Sequence, residues 1–199
     1  MKSTGSFAYI EEDCGKLAKG FKYKNTEVLR CEIEYPIFAP KNFSASRINR
    51  WYMLRALSYA NSVKSRFYGE AAKQRDMFDG KTGFESLNIN VSYGAMYMQN
   101  GIISVFLDTS EQLRYSGSHL YRVSQTWLVN SVARVPAGYF FKPGSLWGRA
   151  VVDEIARTID KEDAEKTGAF YSDAKKRAKR HLNAENYYLA DDGFVFYFQ

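Results

Sequence analysis

The sequence predicts an α+β fold: an antiparallel β-sheet meander packed against one long helix, with two further helices and a C-terminal hairpin. Three observations predict it. Between Ser44 and Met77 apolar residues recur at helical spacing. From Leu87 to Val132 they alternate with period two between short turn signals. Near the end, Asp191-Asp192-Gly193 separates two aromatic runs, Tyr187-Tyr188-Leu189 and Phe194-Val195-Phe196-Tyr197-Phe198, which is a hairpin signature.

Up to Pro40 the chain reads as extended. Phe7-Ala8-Tyr9-Ile10 is a short β-prone run. Further on, Leu29, Cys31, Ile33 and Tyr35 share one face of a strand, and Arg30, Glu32 and Glu34 share the other. Pro36 and Pro40 end that strand. Ser44 or Ser46 can cap the long helix. Ile48, Trp51, Tyr52, Arg55 and Tyr59 mark one helical line, and Leu54, Leu57, Val63 and Phe67 widen the apolar stripe. Arg47, Arg50, Lys64, Arg66 and Lys73 form the polar side, and the pattern stops at Asp79-Gly80.

The meander begins with the strict alternation of Leu87 to Tyr93. Met96-Tyr97-Met98 continues it past Gly94, which reads as a bulge. Asn100-Gly101 predicts a type I′ turn, whose two central residues both need positive φ. Ile102 to Asp108 is the return strand. Leu120 to Val132 holds two further strand patches, with Trp127 and Val129 on one face and Leu128 on the other. Consecutive strands joined by short turns pair antiparallel. Ser145 can cap a second helix, with Val151, Val152, Ile155 and Ile159 on one face. Ser172 or Asp173 opens a third, Ala174 to Leu182, whose apolar side is thin. The final hairpin is expected to close the sheet. No repeat or low-complexity linker divides the chain. It reads as one domain over residues 1–199 in two halves, about 1–80 (strand and long helix) and about 81–199.

The 199 residues are 45% hydrophobic and 16% aromatic, enough to build a sizeable core and too apolar for disorder. The 15 Tyr and 14 Phe favour strands and surfaces where a ring is buried and a hydroxyl stays wet. A formal net charge of +6 fits anionic partners, and it also fits plain solubility. Cys14 and Cys31 match no zinc or CxxC spacing. They can pair across adjacent strands or stand as isolated thiols, and nothing in the spacing demands a bridge. No apolar run is long enough to span a membrane, and Met1 to Ser6 lacks the apolar segment of a signal peptide.

No motif for a nucleophile elbow, a phosphate-cradling loop, a calcium loop or a zinc protease is present. His119 is one of two histidines and has no Cys, Asp or second His nearby in sequence, so it is a poor metal ligand. It is either a polar anchor in a ligand-facing loop or a side chain that orders that loop. Lys175 to His181 is the densest basic run. It reads as a phosphate-polymer or membrane contact, or as a solvated helix face whose cations suit the helix C-terminus. No aromatic platform interleaves with it, so no nucleic acid is expected. Asp191-Asp192 are turn formers. Tyr93, Tyr97, Tyr115, Tyr121 and Trp127 fall within the meander, where rings can stack on sugars, anchor a protein partner or fill the core.

Several of these residues also carry a resemblance. They are the strand ending in Tyr35-Pro36, the helix opening with Ile48-Asn49, the turn and strand Asn100-Gly101-Ile102-Ile103-Ser104-Val105, and the closing hairpin from Tyr187 to Gln199. In this order they resemble the RsiV-like extracellular domain family, a domain of unknown function found in the anti-sigma-V factor RsiV and in the peptidoglycan deacetylase PdaC. Matches spread from Val28 to Gln199. The family's Gly-Gly-Ala-His-Gly loop corresponds to Ser116-Gly117-Ser118-His119-Leu120, where Gly117 and His119 match. Asn130 stands where Asp is usual, and a Tyr-x-Ile-Ala-Pro-Tyr-like segment that follows in the family is not in this sequence.

The resemblance implies a non-catalytic, extracytoplasmic ligand-binding or sensor domain that engages the bacterial envelope or a cell-wall-active protein such as lysozyme. Tyr115, Gly117, His119, Tyr121 and Trp127 are the candidate ligand-binding residues. No catalytic residue, metal or cofactor is expected, and membrane association would need an anchor outside the chain. Animal-type lysozymes are usually basic, so steering between like charges opposes that encounter, and an anionic wall polymer suits the charge better. The alternatives are a hydrolase using His119 with a nearby acid, or a purely structural interaction module.

Overall fold

The computed structural model describes residues 11–39, 43–78, 80, 84–113, 117–164 and 170–199. Six strands form one sheet in sequential order: β1 (Glu11–Tyr23), β2 (Thr26–Ala39), β3 (Leu87–Gln99), β4 (Ile102–Leu113), β5 (Gly117–Leu128) and β6 (Ala133–Arg134). Helix α1 (Phe43–Asp76) connects β2 to β3. After a single 3₁₀ turn at Ala137–Phe140 come α2 (Trp147–Ala164), α3 (Ala174–His181) and the hairpin β7 (Tyr187–Ala190) and β8 (Gly193–Phe196).

The α+β class is as the sequence predicts, and most strand pairs are antiparallel. The exception is β2 with β3, which run parallel from Leu29↔Leu87 to Ile33↔Val91. A helix inserted between neighbouring strands returns the chain to the starting end, so the second strand must run with the first. Strand β1 is longer than the sequence reveals, since Gly15 and Gly20 interrupt its pattern. The ring of Tyr35 lies over Gly15, where a Cβ would stand 2.3 Å from it. The β-prone run Phe7 to Ile10 lies outside the described residues.

The β3–β4 turn has Asn100 at φ 55° and Gly101 at φ 72°, as a type I′ turn requires. The expected bulge is displaced. Gly94 pairs regularly with Phe106, and the register shifts between Ala95 and Tyr97. Gly94 instead makes room for the Phe106 ring, which would lie 2.6 Å from an added Cβ.

α1 buries Ala45, Ile48, Tyr52, Ala56, Ala60, Val63, Phe67, Ala71 and Gln74, one stripe at spacings of three and four. Leu54 and Leu57, expected to widen it, are 49% and 37% exposed. Alanines do the packing because a short side chain lets the helix approach the sheet closely. Its C-terminal half packs Val63, Phe67 and Ala71 on Leu29, Cys31, Ile89 and Val91. Its N-terminal half packs Ile48 and Tyr52 on Phe38, Ile103, Val105, Trp127 and Val129.

The final hairpin does not close the sheet as expected. It forms a separate two-stranded sheet against the opposite face of β4 and β5. Alternation explains the placement: Ile103 and Val105 point to α1, so Ser104 points away. Ser104 Oγ accepts the Leu189 backbone N–H at 2.8 Å and pairs with Thr126 Oγ1 at 2.8 Å. The Tyr187 hydroxyl donates to the Val135 carbonyl at 2.7 Å.

Cys14 and Cys31 are free thiols on neighbouring strands. Cys14 pairs with Pro36, five residues along β2 from Cys31, so about 17 Å of strand separates them, beyond disulfide reach. Burial pushes the Cys31 thiol up to about 11.

Candidate functional site: a cleft under the long helix

The residues that face α1 from the sheet leave a cleft of about 230 Å³. Its walls include the rings of Tyr35, Trp51 and Tyr52, and Arg55, Tyr121 and Gln125 bring polar groups to it. The cleft exists because Ala56 stands on the helix between the larger Tyr52 and Tyr59, where a longer side chain would fill it.

One end is ordered by a chain of hydrogen bonds. The Tyr121 hydroxyl donates to the Tyr59 hydroxyl at 2.9 Å, and Tyr59 donates to Glu111 Oε1 at 3.2 Å. Arg66 Nη2 sits 3.0 Å from the same oxygen and donates to Oε2 at 3.2 Å. Glu111 is 4% exposed, so these partners are what make a carboxylate tolerable there. Burial, reinforced by the hydrogen bond to Tyr121, holds the Tyr59 phenol far above its ordinary range. At the other end, Trp127 Nε1 donates to the Tyr52 hydroxyl at 3.1 Å, and Tyr52 donates to Gln125 at 3.4 Å. Burial raises the Tyr52 phenol as well.

Gly117, His119, Tyr121 and Trp127 all lie on β5 at odd positions, hence on one face. They do not form one cluster: at strand rise, Trp127 is about 20 Å from Tyr121. Tyr121 lines the cleft, whereas Trp127 is buried in the core with its indole N–H used by Tyr52. Gly117 opens the strand at φ 78°. His119, expected on a loop, is an exposed strand residue in register with Glu111. The Glu111 carboxylate is already bonded to Tyr59 and Arg66, and among the described residues none donates from or accepts at His119. Tyr115 lies outside the described residues. Among the described residues no three His, Cys, Asp or Glu side chains group as metal ligands do.

The cleft residues on α1 were present in the sequence as the line Trp51, Tyr52, Arg55 and Tyr59. Arg55 within an otherwise apolar line is the signal that this face meets something polar. Glu111 gave no such signal, because its burial depends on Arg66 and Tyr59 arriving from 45 and 52 residues away.

A second, larger concavity of about 890 Å³ lies between α2, α3 and the hairpin. Phe141, Trp147, Val151, Ile155, Phe194 and Phe196 form much of its lining. The sequence shows the apolar face of α2 but not that the face stays uncovered.

No family model matches the sequence, and no curated protein does either. Among solved structures, the chain is similar to a member of the DUF3298 family from Bacteroides fragilis. The TM-score is 0.65 at 10% identity, covering 96% of this chain and 83% of that one. A DUF3298 family protein from Pseudomonas aeruginosa matches with TM-score 0.45 at 13% identity, over 75% of this chain and 65% of that one. The first likeness establishes that this chain has the fold of a member of a family whose function is unknown.

Proposed function

We propose that the chain is a non-catalytic, extracytoplasmic binding domain that engages the bacterial envelope, with an anionic wall glycan as the ligand class and the cleft under α1 as its site. The observation that carries this is the cleft itself: aromatic walls with Arg55, Gln125 and phenol groups at its edges. Rings that stack on a sugar face, with a few polar groups to fix its orientation, are what a glycan site needs. The resemblance to the RsiV-like domains and the net charge of +6 support the envelope assignment. The non-catalytic reading is supported by Glu111, the acid facing His119, being fully engaged by Tyr59 and Arg66. In this reading lysozyme is the second candidate partner.

The test is two-dimensional NMR with soluble muropeptides and wall teichoic-acid fragments. The expected result is saturable shifts at the Trp51 indole, Arg55, Tyr121 and Gln125, weakened in Arg55→Ala. Shifts confined to other surfaces, or none at roughly tens of micromolar protein with excess ligand, would overturn the assignment of the cleft.

A further inference from the structure

We infer that the trough at the helical end of the molecule is a binding site for a single-chain anionic amphiphile, its acyl chain along α2 and its head at Arg177. This rests on residues outside the cleft and is independent of it. α2 carries Trp147, Val151, Ile155 and Ile159 four residues apart, one continuous stripe. In an ordinary surface helix such a stripe is covered. Here Trp147, Val151 and Ile155 line an open concavity, and only Ile159 is buried. The opposite wall is the hairpin, with Phe194, Phe196 and Phe198.

The wall is rigid enough to be a preformed site. Phe141 stacks on Trp147 at 5.3 Å and on Phe194 at 5.2 Å, and Phe194 stacks on Phe196 at 6.1 Å. The volume, about 890 Å³, falls in the range of small-molecule sites, and its lining is overwhelmingly apolar. An elongated apolar guest suits that lining, whereas a sugar or a nucleotide would leave most of its polar groups unpaired.

Charge selects the head group. Of the three polar side chains at the trough that are not aromatic, Thr158 is neutral and Glu154 is ion-paired with Arg157 on its own helix. The third is Arg177, held over the Tyr171 ring at 4.9 Å and bonded to Asp173 at 2.8 Å. Elsewhere on α3, away from the lining, Lys176, Lys179 and Arg180 have no acidic partner among the described residues. Lys175 is paired with Asp160. Arg177 is therefore the one cation lining the trough among the described residues, on a helix whose charge is positive, and an anionic carboxylate or phosphate is the head it favours.

The test uses cis-parinaric acid, a fluorescent C18 fatty acid that accepts energy from tryptophan. Trp147 lines the trough, while Trp51 and Trp127 contact one another in the main core. Saturable, tryptophan-sensitised emission is expected, competed by laurate, with affinity rising roughly tenfold for each two methylenes added. Trp147→Phe lowers the sensitised emission by more than any loss of affinity read by direct excitation accounts for. Ile155→Asp weakens binding at least tenfold. Arg177→Gln, an exposed substitution that leaves the fold intact, weakens laurate by about tenfold and neutral monolaurin little. Equal affinity for laurate and dodecyltrimethylammonium would overturn the head-group assignment. Absence of saturable binding overturns the site. Binding to phosphatidylglycerol vesicles without binding of free laurate would replace it with a membrane-facing surface.

Discussion

The Tyr121 hydroxyl donates to the Tyr59 hydroxyl across 2.9 Å, joining β5 to α1 at the edge of the cleft. Tyr59 passes the arrangement on to the buried Glu111 carboxylate. Tyr59→Phe removes one of the donors to Glu111 and the acceptor of Tyr121. A loss of about 1–3 kcal/mol is expected, measured by urea unfolding. Tyr121→Phe leaves Tyr59 and Glu111 bonded and should cost less. If the order is reversed, the chain of donors is wrong.

Ser104 ties the hairpin to the sheet through Leu189 and Thr126. Ser104→Ala leaves the Leu189 N–H buried without its acceptor. It should destabilise by about 1–3 kcal/mol and reduce hydrogen-exchange protection first at Leu189. Protection lost evenly over β4 and β5 instead would show that the hairpin does not dock through this serine.

These two positions illustrate how far the sequence could be read. The alternation of Ile103, Ser104 and Val105 gives the strand and its faces. It does not say that Ser104 serves a second sheet, because the polar face of a strand looks the same whether it meets water or a hairpin. The helix was legible from its period but its packing was not, since the alanines and not Leu54 and Leu57 meet the sheet. At the cleft, the place of Tyr121 in the meander was legible. Glu111 and Arg66 were not, since their partnership exists only after α1 has crossed back over the sheet. Trp127 looked like a ligand platform and is a core residue, which one sequence cannot distinguish when a strand has both faces partly covered.

Gly94 admits the Phe106 ring. Gly94→Ala forces that ring to move and should cost about 1–3 kcal/mol. In a Phe106→Leu background the same substitution should cost clearly less, since the obstructing ring is gone. A double-mutant cycle with no coupling would mean that the glycine is needed for its backbone rather than for the ring.

Stability should fall at alkaline pH. Burial raises the phenols of Tyr52 and Tyr59, and raises that of Tyr187 to about 12, against an ordinary value of 10.0. Below that ordinary value both folded and unfolded chains keep these protons, and the stabilisation is fully present. Above it the unfolded chain releases protons that the folded chain retains, so unfolding becomes easier as pH rises. Urea midpoints should be level up to about pH 9 and decline beyond about pH 10. The decline should be shallower in Tyr187→Phe. A slope unchanged by that substitution would assign the alkaline loss to other groups.

Envelope binding is tested first on immobilised peptidoglycan, with and without its anionic polymers, across a salt series, with lysozyme alongside. Binding to the intact wall is expected, fading as salt rises, weakened when the anionic polymers are stripped, and reduced by Arg55→Ala. Salt-resistant binding to lysozyme with none to the wall would contradict it and make a protein the ligand; no binding to either would remove the envelope assignment altogether.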